Sequence, residues 1–225
     1  MTVLDKSNLD SLITKFESHL NSTVSLRLFT QTNSGLIIPS RKCDTCITTQ
    51  KLLTEISNIS NKINLEIIDF YNNDNPSTEL TIDRIPATVI GQSGRAIFYG
   101  MPSGYEFSTL INSIINSSLD SQNLNEGLIK KLAVIQNPIH IKVFVTPSCK
   151  YCPRIAELSL SLAMQFSTIK TEIIEIQEYP DLANNHGISS VPVTVINDKI
   201  KLDGQISSDT LVEAIVEIDG GIKTS

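Results

Sequence analysis

The sequence predicts an α/β protein made of two tandem copies of one unit, each a central mixed β-sheet flanked by helices. Three observations predict it. Cys43-x-x-Cys46 recurs as Cys149-x-x-Cys152, and an apolar-Pro dipeptide, Ile85-Pro86 or Val191-Pro192, places its proline 43 residues after the first cysteine of each pair. An offset of 106 residues lays Ile67-Ile68-Asp69-Phe70 on Ile173-Ile174-Glu175-Ile176, and the six residues from Ile85 on the six from Val191. The length of 225 residues divides into two domains of ordinary size.

The first unit is read as residues 1–120 and the second as 121–225, with the boundary in the polar stretch 117–125. That stretch is too short for a long flexible linker, so the units are expected to pack on one another. Each opens with a helix: Leu9, Leu12, Ile13, Phe16 and Leu20 share one face in the first, and Leu124, Leu128, Leu132 and Ile135 share one in the second. Strands follow at 24–30 and 139–145, each a short alternating or apolar run. Behind the cysteine pairs, Leu52, Leu53, Ile56 and Ile59, and then Ile155, Leu158, Leu162 and Phe166, predict helices. Each unit then repeats a strand (64–70; 169–176), a short helical link, a strand starting at the proline, a hairpin, a strand and a last helix (103–119; 207–218). The hairpin signals are Gly91 to Gly94 and Asn197-Asp198.

A net charge of −6 and a pI near 5.1 exclude general affinity for nucleic-acid phosphates. No run of about 20 apolar residues is present to span a bilayer. The first 20 residues read as an amphipathic helix with Asp5, Asp10 and Glu17, unlike a secretory leader. The expected location is cytoplasmic. Cysteines grouped in pairs, rather than scattered as in a small secreted fold, point to redox or metal chemistry.

Two cysteines three positions apart at a helix start lie on one face, within reach of a disulfide. The first meets the unpaired N–H groups and positive dipole end of the helix, which favour its thiolate, and is read as the nucleophile. The second, one turn deeper, resolves the mixed disulfide. Lys150 and Tyr151 stand between Cys149 and Cys152, and Pro153 follows where a missing N–H costs little. Asp44 and Thr45 stand between Cys43 and Cys46; the anion opposes a thiolate, partly offset by Arg41 and Lys42. Pro39 precedes Cys43 by four residues where Pro147 precedes Cys149 by two, and residues 31–38 read as an insertion. Cys149 and Cys152 are therefore expected to be the stronger site. The bland reading is a pair of structural disulfides. A zinc centre built from all four thiolates is the metal alternative, but zinc ribbons set their pairs about 15–20 residues apart, and here 103 positions separate Cys46 from Cys149.

The order β-α-β-α-β-β-α, with C-x-x-C at the first strand-to-helix turn and a proline opening the third strand, resembles the thioredoxin fold in both halves. Two such units resemble the glutaredoxin-like protein disulfide oxidoreductases of thermophilic archaea and bacteria, and the run from Thr146 to Pro153 is similar to the glutaredoxin active site. The resemblance implies cis bonds at Ile85-Pro86 and Val191-Pro192, facing the disulfides. It implies substrate docking by Ile85, Pro86, Val191 and Pro192, with Lys150 and Tyr151 beside them. It also implies protein disulfides and dithiols as substrates, a thioredoxin-reductase-like flavoprotein as reductant, and no organic cofactor or metal, since the electrons reside on sulfur. Two further readings use the same residues: a module that holds client chains or a metal, and a dedicated reductant of a peroxiredoxin. Thioredoxins carry a buried carboxylate six residues before the first cysteine. Here Ile37, allowing for the insertion, and Val143 take that place, and neither moves a proton. Arg84 and His186, near the two prolines, are read as solvated and as covering a helix end.

Overall fold

The computed structural model describes residues 3–31, 43–72 and 76–222, so Ile37, Pro39, Arg41, Lys42 and most of the inserted run lie outside the described residues. The first unit contains α1 (Lys6–His19), β1 (Val24–Thr30), α2 (Cys46–Ser57), β2 (Ile63–Asp69), β3 (Ala87–Ile90), β4 (Ala96–Tyr99) and α3 (Tyr105–Ser117). The second contains α4 (Glu126–Leu132), β5 (Ile139–Val145), α5 (Cys152–Gln165), β6 (Ile169–Glu175), α6 (Pro180–Asn185), β7 (Val193–Ile196), β8 (Ile200–Asp203) and α7 (Ser208–Ile222). The expected element order is present in both.

Two expected elements differ. Helix α4 is shorter than its apolar stripe: Asn125 caps its start by accepting the Gly127 N–H at 2.7 Å. Beyond its end, Asp219 of α7 accepts the N–H groups of Gln136 and Asn137 and draws the chain out of the helix. Leu124 and Ile135 therefore flank the helix. In the first unit the expected helical link is a single turn, Leu80 N–H to Pro76 O, closed by Thr81 at φ 54°. Its counterpart in the second unit is α6.

Instead of two sheets packed together, the units share one sheet of eight strands in the order β2-β1-β3-β4-β6-β5-β7-β8. The seam is parallel, with Ala96 on Thr171, Ile97 on Glu172, Phe98 on Ile173 and Tyr99 on Ile174. Strand composition explains which edges fuse. All four residues of β4, Ala-Ile-Phe-Tyr, are buried, whereas its repeat partner β8, Ile-Lys-Leu-Asp, alternates as an edge strand does and carries Lys201. Likewise β6 is buried along nearly its whole length, while β2 is largely open.

The long helices lie on one face, where Leu12, Phe16, Leu53, Ile56, Leu110, Ile114, Leu160 and Ile215 join one core with Leu26, Phe98 and Ile141. Across the units α3 packs on α5, linked by Asn112 to Glu157 and Asn116 to Ser161. A smaller core on the opposite face gathers Phe29, Val89, Ile97, Tyr99, Phe144, Ile174, Tyr179 and Val195. The hairpin signals act as expected: Asn197 and Asp198 both take positive φ, as a tight two-residue turn requires, and Gly91 and Gly94 do so in the longer β3–β4 connection. Among the described residues no helix is long and apolar enough to cross a membrane.

Pairing directions fix where the cysteines emerge. Strand β3 is antiparallel to β1 and β4, and β4 is parallel to β6 and thus to β5. β1 and β5 therefore point the same way, and both C-x-x-C turns open on one rim of the sheet. Four strand spacings separate β1 from β5 in the sheet order, or roughly 19 Å.

Candidate active sites on one rim of the sheet

Each pair is closed as a disulfide within itself, Cys43 to Cys46 and Cys149 to Cys152, with Cα atoms 5.5 Å apart in both. Cys46 and Cys152 are the first residues of α2 and α5 and are buried, while Cys43 and Cys149 stay partly exposed outside the helix starts. An incoming sulfur therefore reaches the first cysteine of each pair. In the second site the Cys152 N–H, at the α5 start, donates to the Cys149 sulfur at 3.1 Å and is shared with the Cys149 carbonyl at 3.4 Å. In the first site the Cys43 sulfur lies 3.7 Å from the Ile85 carbonyl oxygen.

The Ile85-Pro86 and Val191-Pro192 bonds are cis. Each proline carbonyl accepts an N–H from the glycine that ends the following hairpin, Gly100 or Gly204, at 2.9 Å. The structure thus brings Ile85 and Pro86 to Cys43. In the second unit Phe144 pairs with Val193, which sets Val191 and Pro192 beside the end of β5 that leads to Cys149. Tyr151 is half exposed at the α5 start, and the Lys150 ammonium lies over its ring, 4.9 Å from the centroid. Arg84 is turned onto Asp83 and Asp181 and over the Tyr179 ring. His186 caps α6 with its ring against Phe144.

Between the sites the chain leaving each seam strand crosses into the other unit's site. From β4 it runs through Gly100 and Gly104 to Tyr105, whose N–H donates to the Pro147 carbonyl at 2.9 Å, two residues before Cys149. Gly104 is required there: at φ 57°, an added Cβ would stand 2.3 Å from that oxygen. From β6 it runs to Glu178 and Tyr179. Glu178 accepts the Thr45 hydroxyl inside the first C-x-x-C, at 2.5 Å, and the Met101 N–H, at 2.7 Å. The Tyr179 hydroxyl donates to the Pro86 carbonyl at 3.2 Å. Sequence reading did not find these braces, because each belongs to the opposite half of the repeat.

The crossing also supplies a carboxyl group. Glu106, directly after Tyr105 in the first turn of α3, is fully buried with no aligned hydrogen-bond partner for either oxygen. Burial pushes its acid up to about 8; Glu157 on the facing α5 adds to the rise, the Thr109 hydroxyl opposes it, and Glu175 adds to it again. Val143, the residue at the thioredoxin carboxylate position in the second unit, is buried and apolar. Glu106 comes from the other unit, 43 residues before Cys149, so no local motif marks it.

Residues 139–217 match the thioredoxin domain family. The NADH dehydrogenase of Bacillus subtilis strain 168 is 22% identical over 174 residues, which are 77% of this chain and 32% of that protein. The F subunit of alkyl hydroperoxide reductase from Staphylococcus aureus strain Mu50 is 21% identical over 169 residues, 74% of this chain and 31% of that protein. The chain thus spans about a third of these relatives. Among solved structures, the protein disulfide oxidoreductase of Aeropyrum pernix K1 superposes with a TM-score of 0.84 at 22% identity, covering 98% of this chain and 96% of that one. The N-terminal domain of the alkylhydroperoxide reductase AhpF from Enterococcus faecalis V583 gives 0.82 at 24%, covering 94% and 99%. What these structures share with this chain is the fold. The chain is thus built on two fused thioredoxin folds, with a C-x-x-C disulfide in each unit.

Proposed function

We propose that the protein is a thiol–disulfide oxidoreductase in which Cys149 and Cys152 form the principal site and Cys43 and Cys46 a second, slower one. The observation that carries this reading is the Cys152 N–H aimed at the partly exposed Cys149 sulfur, with Cys152 buried behind it. In the reduced protein the Cys149 thiolate attacks one sulfur of a substrate disulfide, forming a mixed disulfide and releasing the other sulfur as a thiolate. Cys152 then loses its proton and attacks the Cys149 sulfur. The second substrate thiolate leaves, two electrons have passed to the substrate, and the protein holds the disulfide described above. Glu106, a buried carboxyl in the first turn of α3 directly after Tyr105, is the group we assign to take the Cys152 proton; with its acid pushed up to about 8, the ionised minority at neutral pH is the form that accepts. The peptide groups at Val191 and Ile85 form the docking edges for an extended substrate chain, with Tyr151 and Lys150 at the rim of the second.

Units 1–120 and 121–225 act through separate sites, since roughly 19 Å of sheet prevents direct exchange between the two disulfides. The fold and two thiol pairs support protein dithiols and disulfides as substrates. Likeness to proteins named for alkyl hydroperoxide reduction supports a flavoprotein as electron source and a peroxide-reducing partner as one outlet. A reducing, cytoplasmic setting suits such a cycle. The test is reduction of insulin disulfides with dithiothreitol as donor. Wild type is expected to be active, Cys149→Ser inactive at the second site, and Cys152→Ser trapped as a mixed disulfide. Wild-type inactivity, or activity unchanged by Cys149→Ser, refutes the reading.

A further inference from the structure

We infer that Glu178, contributed by the second unit, is a positioning residue of the first site that makes Cys43 the slower thiol of the chain. This rests on the oxidoreductase reading and adds a regulator to it. Thr45 stands directly before Cys46 at the start of α2, where a threonine hydroxyl ordinarily accepts a backbone N–H of the first turn. Here it makes no such cap, and its hydroxyl donates to Glu178 instead. The second oxygen of Glu178 accepts the Met101 N–H. A Cβ added at Gly100, next in the chain, would stand 2.9 Å from Glu175 Cβ and 3.2 Å from the Glu178 oxygen, so the carboxylate sits in a close crossing of two chain segments. It is held from two sides at the helix start that would otherwise favour a Cys43 thiolate.

Among the described residues, the charges nearest the first pair are acidic, while Arg41 and Lys42, which oppose them in the sequence, lie outside the described residues. Asp44 comes from its own loop, and Glu178 from the segment leaving β6. The cation on the β3 side, Arg84, is engaged by Asp83 and Asp181. The second site has Lys150 between its cysteines. Anionic charge fixed beside a sulfur raises the free energy of the thiolate and lowers its population at neutral pH. Difference between the two sites is thus written across the unit boundary as well as within each C-x-x-C.

The test uses the full chain, fully reduced, with iodoacetamide as probe and peptide mass spectrometry reading alkylation at Cys43 and Cys149 separately from pH 5 to 10. Glu178→Gln removes the charge; its one carbonyl oxygen can still accept the Met101 N–H, while its amide NH2 faces the Thr45 hydroxyl, which becomes the acceptor of that contact. Its Cys43 titration is expected to move to lower pH, with alkylation at pH 7 faster by roughly two- to fivefold, a larger thiolate fraction partly offset by lower nucleophilicity. Thr45→Val frees the carboxylate from the loop and is expected to shift Cys43 in the same direction. Cys149 stays unchanged in both. An unchanged Cys43 profile in both variants, or an equal shift at Cys149, overturns the inference. Insulin reduction by the wild type separates the two claims: its failure sinks the oxidoreductase reading, whereas an immobile Cys43 profile in an active protein sinks only the role of Glu178.

Discussion

Replacing Glu106 by glutamine should flatten the pH dependence of stability. Burial holds the carboxyl at about 8 in the folded protein, against an ordinary value of 4.5. Between those values the folded chain keeps a proton that the unfolded chain has released, so stability falls as pH rises through the window. Stability associated with this group is fully present below 4.5 and lost as pH passes 8. Each pH unit inside the window is worth about 1.4 kcal/mol per proton, so the wild type should lose on the order of 3 kcal/mol between pH 5 and 7.5. The Glu106→Gln protein lacks that loss. Its amide stays buried where the acid stood and costs roughly 1–3 kcal/mol at every pH, so the variant is expected to be weaker than wild type at pH 5 and equal or stronger at pH 8. Burial also raises Glu157 and Glu175, and these remain in both proteins, so the difference between the two curves reports Glu106 together with its coupling to those two acids. Urea unfolding of the oxidised proteins at pH 5, 6, 7 and 8 measures it. The same variant should slow resolution of the mixed disulfide at Cys149, seen as accumulation of that species in rapid-quench experiments. A pH-independent stability difference together with an unchanged resolving rate refutes both the buried charge and its task.

Two other outcomes follow from the seam and the crossing. Glu172 stands on the seam strand β6, opposite Ile97, with the Lys170 ammonium at 2.8 Å and the His140 ring nitrogen at 2.9 Å. Burial by itself would raise this carboxyl, but His140 and Lys170 outweigh it and hold it at about 2. Its stabilisation is present above 4.5 and lost as pH falls toward 2, so Glu172→Gln should cost about 2–3 kcal/mol at pH 7 and little at pH 2, by urea unfolding. Gly104→Ala places a methyl carbon against the Pro147 oxygen and forces a side chain onto positive φ; a loss of at least about 2 kcal/mol and weakened insulin reduction through Cys149 are expected, and a neutral substitution would show that α3 does not brace that loop.

The duplicated plan was readable in the chain because its signals are local and occur twice. The 24–30 and 139–145 runs are strands by composition, Asn197-Asp198 is a tight turn by its tolerance of positive φ, and two cysteines three apart before an apolar helical stripe place a thiol pair at a helix start. Even the edge that would fuse had a trace, since Ala96-Ile97-Phe98-Tyr99 lacks the alternation of Ile200-Lys201-Leu202-Asp203, though four residues of unbroken apolarity name no partner. Three features waited for the tertiary structure: the seam between β4 and β6, the buried acid Glu106 and the carboxylate of Glu178 at Thr45. Each depends on residues from opposite units meeting at the seam. Periodicity and motif spacing report what a segment does within itself, and contain no term for which surface of another unit will stand against it. The sequence by itself thus determined two thioredoxin-like units and their four sulfurs, while the edge-to-edge joining of their sheets decided which acids would stand beside each pair.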